Sequence, residues 1–442
     1  MRMHQFTPSL PLIRRTGGIL SHAQIVEQAR AFAEMLPEGG LPINLCQSRS
    51  RFLTALLAAS FRGQHSLLPN DRTLRTLSAL RGAYGAVYCL VDEASDAVES
   101  FDCRVVPDAT ACSDASNEVW EYAPEQTAAT VFTSGSTGMP VAWPKMWRAL
   151  VEEASELTCR FDVNPGSAIV ATVPPQHMFG LAASVMLPLV AGASVWSNRP
   201  FYPADIVAAL AALPAPRILV TTPLHLRALV SARASMPAID FILSATAPLG
   251  ATFADSAERT FETRVVEIYG CTEVGAVGTR RTTAGEDWQL LGDFALYGDK
   301  DSTEVRGSYL PEPVPLTDRI ERITAQTFRL HGRSGDMINI AGKRGSLAGL
   351  RSILCEIEGV EDAIVMLVGG NQHDVARLNA FVVAPTRDVG QIRTALRSRI
   401  DPVFMPRHIF LVSTLPRNET GKLEGEALRE WAEAMLGTGR DS

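Results

Sequence analysis

This chain of 442 residues has no long apolar run. Its longest apolar stretch, 180–196, is interrupted by Pro188 and Gly192 and falls short of the roughly 20 residues that a membrane-spanning helix needs. The segment 1–18 carries arginines but no apolar core of the kind that a signal peptide contains. We therefore expect no membrane span and no secretion signal.

Paired cysteines and an excess of basic residues are also missing. The seven cysteines are scattered, and none belongs to a CxxC pair. Disulfide frameworks and structural zinc sites both rest on characteristic cysteine spacings, so this usage predicts neither and indicates a reducing, cytoplasmic location. The net charge of −7 argues against nucleic acid as the main partner, and any anionic ligand must be held by local groups.

The order of apolar patterns predicts the fold. Helix and strand patterns alternate over 21–268, which indicates largely parallel sheets, and short alternating pieces over 288–330 predict an antiparallel β region. A charged, glycine-containing junction at 331–336 precedes a second series of helices and strands. We therefore predict the fold class α/β, with a large N-terminal domain over 1–332, in which helices flank parallel-rich sheets and a β region is added, and a small C-terminal α+β domain over 333–442, joined by a hinge.

A run of small polar residues directly follows the apolar segment 128–132, which has the pattern of a strand end. The run consists of Thr133, Ser134, Gly135, Ser136, Thr137 and Gly138. Glycines let the backbone approach a ligand closely, and consecutive N–H groups and hydroxyls can face phosphate oxygens. The string has neither the P-loop spacing nor the dinucleotide-binding spacing. Taken alone, it is as compatible with an ordinary surface turn as with an anion-binding loop.

Two further polar segments follow predicted strands, where open parallel sheets bind their ligands. The segment 244–247 carries only small side chains and suits either a flat shelf for a nucleotide base or a plain turn. The next strand ends in Tyr-Gly-Cys-Thr-Glu at 269–273, which is also compatible with a buried tyrosine and a capping Thr-Glu pair. Near the C-terminus, a Pro-Arg-x-x-Thr-Gly-Lys sequence places Lys422 after a glycine turn.

In this order the motifs resemble the signatures of the AMP-forming acyl-CoA synthetases, an adenylating superfamily that includes aryl-acid ligases and the adenylation domains of peptide synthetases. The loop beginning at Thr133 is similar to TSGSTGxPKG, the segment 269–273 is similar to YGxTE, and the sequence around Lys422 is similar to the closing motif. The resemblance extends from Ser21 to Lys422. It implies ATP and Mg²⁺ as cofactors, and an acid and a thiol as substrates.

The resemblance assigns one set of residues to the nucleotide. The loop would hold phosphate, the small-residue turn would receive the adenine, and Tyr269 would pack on it. Asp318 would accept hydrogen bonds from the ribose hydroxyls and Arg333 would donate to them, although each residue alone is more often a surface charge. The implied nucleotide residues are Thr133, Ser134, Gly135, Ser136, Thr137, Gly138, Ala245, Thr246, Ala247, Tyr269, Asp318 and Arg333.

A second set of residues would carry the catalytic step. By the resemblance, Thr272 bonds phosphate, Glu273 holds Mg²⁺ through oxygen ligation, and Lys422 reaches the α-phosphate and the carboxylate. Gly342 and Arg344 would face the thiol acceptor after a rotation of the small domain about the junction, which Gly335 would permit.

The acyl pocket is assigned to the segment 174–180. His177 and Phe179 would line it, together with Ser244 and Gly270, although a satisfied core histidine is the alternative for His177. Peptide-synthetase adenylation domains have an aspartate near this point that pairs with the substrate amine. Since no such aspartate is present, amino-acid substrates are disfavoured.

Three departures from the family pattern matter. Val141 stands where the family usually has a lysine after the loop, and Lys145 is a candidate to take over phosphate contact. The span between Glu273 and Asp318 is short, so the intervening β region is reduced. In the small domain a Gly-Leu-Arg sequence ending at Arg351 replaces the usual Glu-Ile-Glu and brings a positive charge toward the predicted acceptor side.

The sequence thus predicts an AMP-forming acid–thiol ligase that joins an aryl or acyl acid to AMP and passes it to CoA or to the phosphopantetheine of an acyl carrier protein. Two alternatives stay open. A stand-alone amino-acid adenylation domain would share the motifs, and a catalytically silent nucleotide-binding module would be compatible with Val141.

Overall fold

The computed structural model describes residues 7–108, 120–134, 140–300, 302–333, 337–340, 343–368, 377–417 and 425–438. Within these ranges the chain forms 25 strands and 12 helices, numbered in chain order. Over the same ranges no helix is both long and apolar enough to cross a membrane.

The strands in chain order are β1 Pro11–Arg15, β2 Gly18–Ser21, β3 Leu41–Asn44, β4 Ser66–Leu68, β5 Val87–Val91, β6 Cys103–Val105, β7 Thr127–Ser134, β8 Pro140–Met146, β9 Ala168–Ala171, β10 Ser194–Trp196, β11 Arg217–Thr221, β12 Phe241–Ser244, β13 Arg264–Cys271, β14 Gly275–Arg280, β15 Trp288–Leu290, β16 Ala295–Asp299, β17 Ser302–Arg306, β18 Val314–Leu316, β19 Asp318–Arg322, β20 Thr327–Arg333, β21 Met337–Ile340, β22 Lys343–Ser346, β23 Asp362–Val368, β24 Arg377–Val383 and β25 His408–Leu411.

The helices are α1 His22–Met35, α2 Arg49–Phe61, α3 Leu74–Tyr84, α4 Trp147–Phe161, α5 Met178–Leu181, α6 Leu187–Ala191, α7 Pro203–Ala211, α8 Pro223–Ser231, α9 Ala251–Phe261, α10 Leu347–Cys355, α11 Val389–Arg397 and α12 Gly425–Thr438. The start of α1 shows how local sequence fixes an element. Ser21 Oγ accepts from the Gln24 N–H (3.3 Å) and the Ser21 N–H donates to Gln24 Oε1 (2.8 Å), which closes a capping box.

The largest sheet has eleven strands in the order β19-β20-β15-β14-β13-β12-β11-β9-β10-β1-β2. Its centre, from β13 to β1, is parallel, and strands β14, β15, β20 and β19 extend it with antiparallel pairs. Every residue of β9 and β12 is buried, and such continuous apolar strands are typical of a parallel sheet covered on both faces.

A second sheet of six strands has the order β6-β5-β3-β4-β7-β8 and is parallel except for the edge strand β8. One apolar core draws on both large sheets and on α1, α2 and α4, with Phe52, Trp147 and Ile169 almost fully buried. The helices therefore hold the two sheets together, and their shared core supports the loops at the strand ends.

The C-terminal part is a separate α+β unit. Strands β23, β24 and β25 form a three-stranded sheet, and β21 and β22 form a hairpin before α10. The apolar core here contains Leu354, Ala380 and Leu396 and draws only on residues after the junction. The predicted fold class, a large parallel-rich α/β domain with a β region and a small α+β domain, is confirmed.

Two strands form in segments of unusual composition for a strand. Strand β8 follows the Gly/Ser/Thr run although it contains Pro140 and Pro144, which disfavour a strand interior. An edge strand tolerates proline, since one side of it has no ladder partner to receive an N–H. The polar segment after β5 contributes the short strand β6, in which Cys103 is the register partner of Cys89.

Candidate active site

The carboxyl ends of four parallel strands meet at one edge of the eleven-stranded sheet. Strands β9, β11, β12 and β13 lie next to one another there, and the buried hydroxyls of Thr172 and Thr221 are 2.9 Å apart. Ser244 ends β12 opposite Glu267 of β13. The two segments 244–247 and 269–273 therefore follow neighbouring strands, as the sequence predicts.

The turn after Ser244 is held in an unusual conformation. Thr246 has a φ of +80°, which is a rare and strained backbone angle for a β-branched residue and is most often kept at binding sites. The buried carboxylate of Glu267 stabilises the turn, because Glu267 Oε1 accepts from the Leu249 N–H over 3.0 Å. Arg280 donates to the same carboxylate from β14 and supplies its counter-charge. Ser244 Oγ is buried and has no hydrogen-bond partner among the described residues.

Tyr269 and the two predicted ribose residues come together on the antiparallel side. The Tyr269 hydroxyl donates to Asp318 Oδ2 over 2.9 Å, and the ring packs against Trp288 and Phe328, with centroids 5.8 Å away in each case. Asp318 is the register partner of Arg333 where β19 pairs with β20. The fold thus gathers three residues that are separated by up to 64 positions in the chain.

The first two residues of the Gly/Ser/Thr run, Thr133 and Ser134, end β7, which pairs with β8. Thr133 is the last residue of the run whose side chain is described, and its Oγ1 accepts from Trp143 Nε1 over 3.2 Å. Ser134 ends β7 and pairs with Pro140 at the start of β8. Gly135, Ser136, Thr137 and Gly138 lie outside the described residues.

The segment 272–274 forms a tight turn between β13 and β14, and Thr272 and Glu273 are partly exposed on it. Gly270 is required there by space, since a Cβ at this position would lie 2.3 Å from the Gly275 carbonyl oxygen. Gly275 has a φ of +107°, and a Cβ on it would lie 2.6 Å from Glu153 Oε2. The sequence therefore fixes the backbone of this turn tightly on both sides of Glu273.

The side chains of Lys145 and Glu153 both form hydrogen bonds to the backbone of this turn. Lys145 is only 6% exposed, and its Nζ donates to the Glu273 carbonyl oxygen over 2.7 Å. Glu153 is 3% exposed, and its Oε1 accepts from the Ala276 N–H over 2.7 Å. Val141, at the family's usual lysine position, is 43% exposed. Lys145 is thus directed at the backbone of the turn, and the expectation that it takes over phosphate contact has no support in this geometry.

Burial controls the charges around this turn. It raises the pKa of Glu153 to about 7, and the bond from the Ala276 N–H and the attraction of Lys145 partly oppose that rise. Burial also lowers the pKa of Lys145, although the nearby carboxylate of Glu153 opposes that shift. The pKa of Cys271 is raised to about 12, first by burial and then by Glu273, so this thiol is a poor nucleophile at neutral pH.

His177 precedes α5 in the segment that the sequence assigns to the acyl pocket. His177 and Phe179 are half-buried, and Phe179 packs against the main core. Gly180 is again required by space, because a Cβ there would lie 1.8 Å from the Pro174 carbonyl oxygen. A π-helical turn, Ala182–Met186, follows, and such turns are frequent at functional sites.

Arg49 supports this segment, and sequence reasoning missed it. Its guanidinium is buried and donates to the carbonyl oxygens of Ala171 (3.0 Å) and Val173 (2.7 Å) and to Ser184 Oγ (3.1 Å). Burial, and to a lesser degree Arg199, lowers the pKa of Arg49 to about 9. One signal was present in the sequence: an arginine at the first position of a helix is unfavourable with the helix dipole and suggests another role.

In the C-terminal unit, Arg417 of the closing motif is held by Asp362. Arg417 Nε and one terminal nitrogen each lie 2.6 Å from an oxygen of that carboxylate. Arg351 donates to the Ala363 carbonyl oxygen over 2.9 Å and lies 3.4 Å from the same Asp362, so its charge is used within the unit. Gly342 and Lys422 lie outside the described residues, and of Arg344 only the backbone, paired with Asn339, is described.

The arrangement fits one magnesium ion shared with a nucleotide. Glu273 offers a partly exposed carboxylate, and Mg²⁺ is usually held by one or two carboxylates together with substrate phosphates. No group of three or more His, Cys, Asp or Glu side chains in the described part of the chain is placed to hold a metal ion by itself.

Comparison with known proteins decides the family. The profile of the AMP-binding enzyme family matches residues 5–296, and that of the AMP-binding enzyme C-terminal domain matches 351–422. The chain belongs to the AMP-binding enzyme family. It is 30% identical over 313 residues, 69% of this chain and 76% of the other, to a 4-coumarate–CoA ligase of Rhodobacter capsulatus. It is 22% identical over 325 residues, 70% of this chain and 76% of the other, to a 3,4-dihydroxybenzoate–[aryl-carrier protein] ligase of Bacillus anthracis.

The fold agrees with this membership. ATP-bound MatB from Rhodopseudomonas palustris superposes with a TM-score of 0.79 over 97% of both chains, at 20% identity. The predicted activity class, an AMP-forming acid–thiol ligase, is confirmed by the family and its relatives. The roles of individual residues stay predictions.

Proposed function

We propose that this ligase activates an aryl acid as its AMP anhydride and transfers the acyl group to a phosphopantetheine thiol. The observation that carries the proposal is that the segments 244–247 and 269–273 and the segment around His177 follow β12, β13 and β9, whose carboxyl ends lie at the same edge of one sheet. Two relatives bear the names of ligases for hydroxylated aromatic acids. The half-buried Phe179 and the buried Ser244 hydroxyl, which has no hydrogen-bond partner in the described part of the chain, suit an aromatic ring with a polar substituent.

The first step joins the acid to AMP. A carboxylate oxygen attacks the α-phosphorus of ATP in line, and the bond to pyrophosphate breaks. The charge that gathers on the phosphate oxygens is offset by the N–H groups of the loop, by Thr272 and by Lys422. Asp318 holds the ribose, and its bond from Tyr269 fixes the orientation of its carboxylate. A magnesium ion on Glu273 would supply further positive charge to the phosphates when bound.

The second step forms the thioester. The acceptor sulfur attacks the acyl carbonyl, AMP leaves with the bonding electron pair, and the thiol proton passes to solvent. A lysine that serves the first step would obstruct the path to the anhydride, so the domain 333–442 rotates against the domain 1–332 between steps. Support comes from the apolar cores, none of which draws on both sides of Arg333 among the described residues. The variant Gly335→Pro is expected to spare adenylation and stop thioester formation, and equal loss of both would refute the rotation.

The acceptor chemistry is the phosphopantetheine arm, which CoA and carrier proteins share. One relative is named for CoA and another for an aryl-carrier protein. Because Arg351 is engaged within its own unit, a carrier-protein acceptor draws no support from that charge. Thioester formation with CoA and with a phosphopantetheinylated aryl-carrier protein, measured side by side, distinguishes the two sources of the same thiol.

Exchange of labelled pyrophosphate into ATP tests the proposed acid class. The panel contains hydroxycinnamates, hydroxybenzoates, medium-chain fatty acids and amino acids. We expect exchange to be fastest with the hydroxylated aromatic acids. Fatty acids as the best substrates would overturn the aryl assignment, amino acids would favour an amino-acid adenylation domain, and silence with every acid would favour a non-catalytic module.

A further inference from the structure

Lys145 is buried, directed at backbone, and not explained by the roles assigned so far. A lysine loses its hydration when it is buried and is seldom found so without a structural or functional partner. Its Nζ lies 2.7 Å from the Glu273 carbonyl oxygen, and the side chain is 6% exposed. A residue that gripped phosphate directly would instead need its ammonium group to be open to the ligand.

Glu153 completes the arrangement from the other side. It lies on α4, which directly follows β8, and its Oε1 accepts from the Ala276 N–H over 2.7 Å. Lys145 thus binds the backbone just before Gly275 and Glu153 binds it just after. Glu153 opposes the lowering of the Lys145 pKa and Lys145 opposes the rise of the Glu153 pKa, so each favours the charged form of the other in this buried place.

The connection joins two parts of the site. Lys145 stands on the strand that leads away from the Gly/Ser/Thr run, and Glu273 stands between β13 and β14 of the other sheet. One hydrogen bond therefore links the hairpin of the phosphate loop to the turn of the predicted metal carboxylate. Any shift of β8 against that turn would change where Glu273 points.

We propose that Lys145, with Glu153 as its counter-charge, is the positioning residue that sets Glu273 for a nucleotide-bound magnesium ion. The inference rests on the proposed function and adds a residue to it. The inference also accounts for Val141. The positive charge that follows the loop is carried by the buried Lys145, which binds the turn, so the exposed position 141 needs no lysine.

Three variants separate positioning from simple stability. Lys145→Met keeps the length of the side chain but removes the ammonium group and leaves Glu153 without its counter-charge. Lys145→Met/Glu153→Gln removes both charges and keeps an acceptor for the Ala276 N–H, so no unpaired buried charge is left and thermal stability should recover. Arg148→Met is the matched control, because Arg148 lies close to Lys145 in the chain, at the start of α4, and its side chain is exposed.

Amide hydrogen exchange over 272–276 and the affinity for ATP, measured with Mg²⁺ and with EDTA, are the readouts. Both are independent of any acid, so a wrong substrate assignment would not affect them. We expect the single and the double lysine variant to exchange these amides about tenfold faster and to lose about tenfold of the Mg²⁺-dependent gain in ATP affinity, a change that corresponds to one well-made charge-assisted hydrogen bond. Affinity in EDTA should stay close to wild type, and Arg148→Met should match wild type throughout.

Two results would overturn the inference. If the double variant recovered both stability and the Mg²⁺-dependent affinity, Lys145 would matter only as a counter-charge. If the lysine variants lost ATP affinity equally with Mg²⁺ and with EDTA, while exchange over 272–276 stayed unchanged, Lys145 would contact phosphate directly. A failure of the proposed function would look different, because it would show as absent pyrophosphate exchange in a wild-type protein with normal Mg²⁺-dependent ATP binding.

Discussion

Tyr269 donates its hydroxyl to Asp318 across the antiparallel side of the large sheet, over 2.9 Å. Tyr269 lies in β13, and Asp318 begins β19 at the edge of the sheet. The bond fixes the position of one carboxylate oxygen of Asp318. It therefore connects the residue predicted to contact the base with the residue predicted to hold the ribose.

Removing this hydroxyl should weaken nucleotide binding selectively. Tyr269→Phe keeps the ring contacts with Trp288 and Phe328 but removes the hydrogen bond to Asp318. We expect the KM for ATP to rise about fivefold to tenfold, as the loss of one hydrogen bond of roughly 1 kcal/mol implies, with little change in the KM for the acid. Steady-state kinetics measures both, and Tyr297→Phe, an exposed tyrosine, is the control. Equal rises in both KM values would show that the bond supports the whole site rather than the nucleotide.

Lys422 should act in adenylation and not in thioester formation. Lys422→Ala is expected to slow the formation of acyl-AMP by at least about a hundredfold, which is typical for loss of one group that stabilises developing charge. Transfer from chemically prepared acyl-AMP to the thiol should persist. Single-turnover assays of each half-reaction make the comparison, with exposed Lys300→Ala as the control. Normal acyl-AMP formation in Lys422→Ala would remove this lysine from the mechanism.

The turn at Gly270 should tolerate no side chain. A Cβ there would lie 2.3 Å from a backbone oxygen, so Gly270→Ala should destabilise the large domain by about 1–3 kcal/mol through forced backbone shifts. Gly82 offers the matched comparison, since it lies inside α3 and a Cβ on it would meet nothing within 4 Å. Gly82→Ala should stabilise the protein by about 0.5–1 kcal/mol. Urea unfolding tests both signs, and a neutral Gly270→Ala would contradict the close approach.

His225 should make the protein sensitive to acid. Burial, aided by Arg199, lowers its pKa to about 4 from the usual 6.5, so it is neutral in the folded state. As the pH falls from 6.5 to 4, the unfolded chain takes up a proton that the folded chain refuses, and stability should fall by up to about 3 kcal/mol. His225→Asn can keep the bond to Thr222 and removes the titration.

Urea unfolding at several pH values between 4 and 7 measures this effect. We expect the variant to show a shallower loss of stability across the window, while His408→Asn, at an exposed position, should follow wild type. Parallel curves for His225→Asn and wild type would mean that another group causes the loss.

Much of the site could be predicted from sequence because its residues occur in short strings. The segments at Ser244 and Tyr269 each combine an apolar strand with small or polar residues at its end, and a parallel sheet brings such ends to one edge. The segment at Thr133 has the same pattern but ends β7 of the other large sheet. Strand β8 is hard to predict from its sequence, because prolines disfavour a strand interior and only the place of β8 at the sheet edge makes them acceptable.

The parts that could not be predicted depend on partners far away in the chain. Lys145 and Glu153 are charged, and a charged residue in sequence is normally taken as exposed. Their burial depends on how the two large sheets pack together with α4, and no local sequence pattern specifies that packing. Arg49 is similar, since its acceptors are the carbonyl oxygens of Ala171 and Val173, and backbone oxygens leave no signature in a sequence.

The fate of the acid's oxygen tests the central claim most directly. The aryl acid that gives the fastest pyrophosphate exchange is labelled with oxygen-18 in its carboxylate and converted to the thioester with ATP and a phosphopantetheine thiol. If the acid attacks the α-phosphorus, the AMP released must carry one labelled oxygen, and mass spectrometry will detect it. Unlabelled AMP, or label in inorganic phosphate accompanied by ADP, would contradict an acyl-adenylate intermediate.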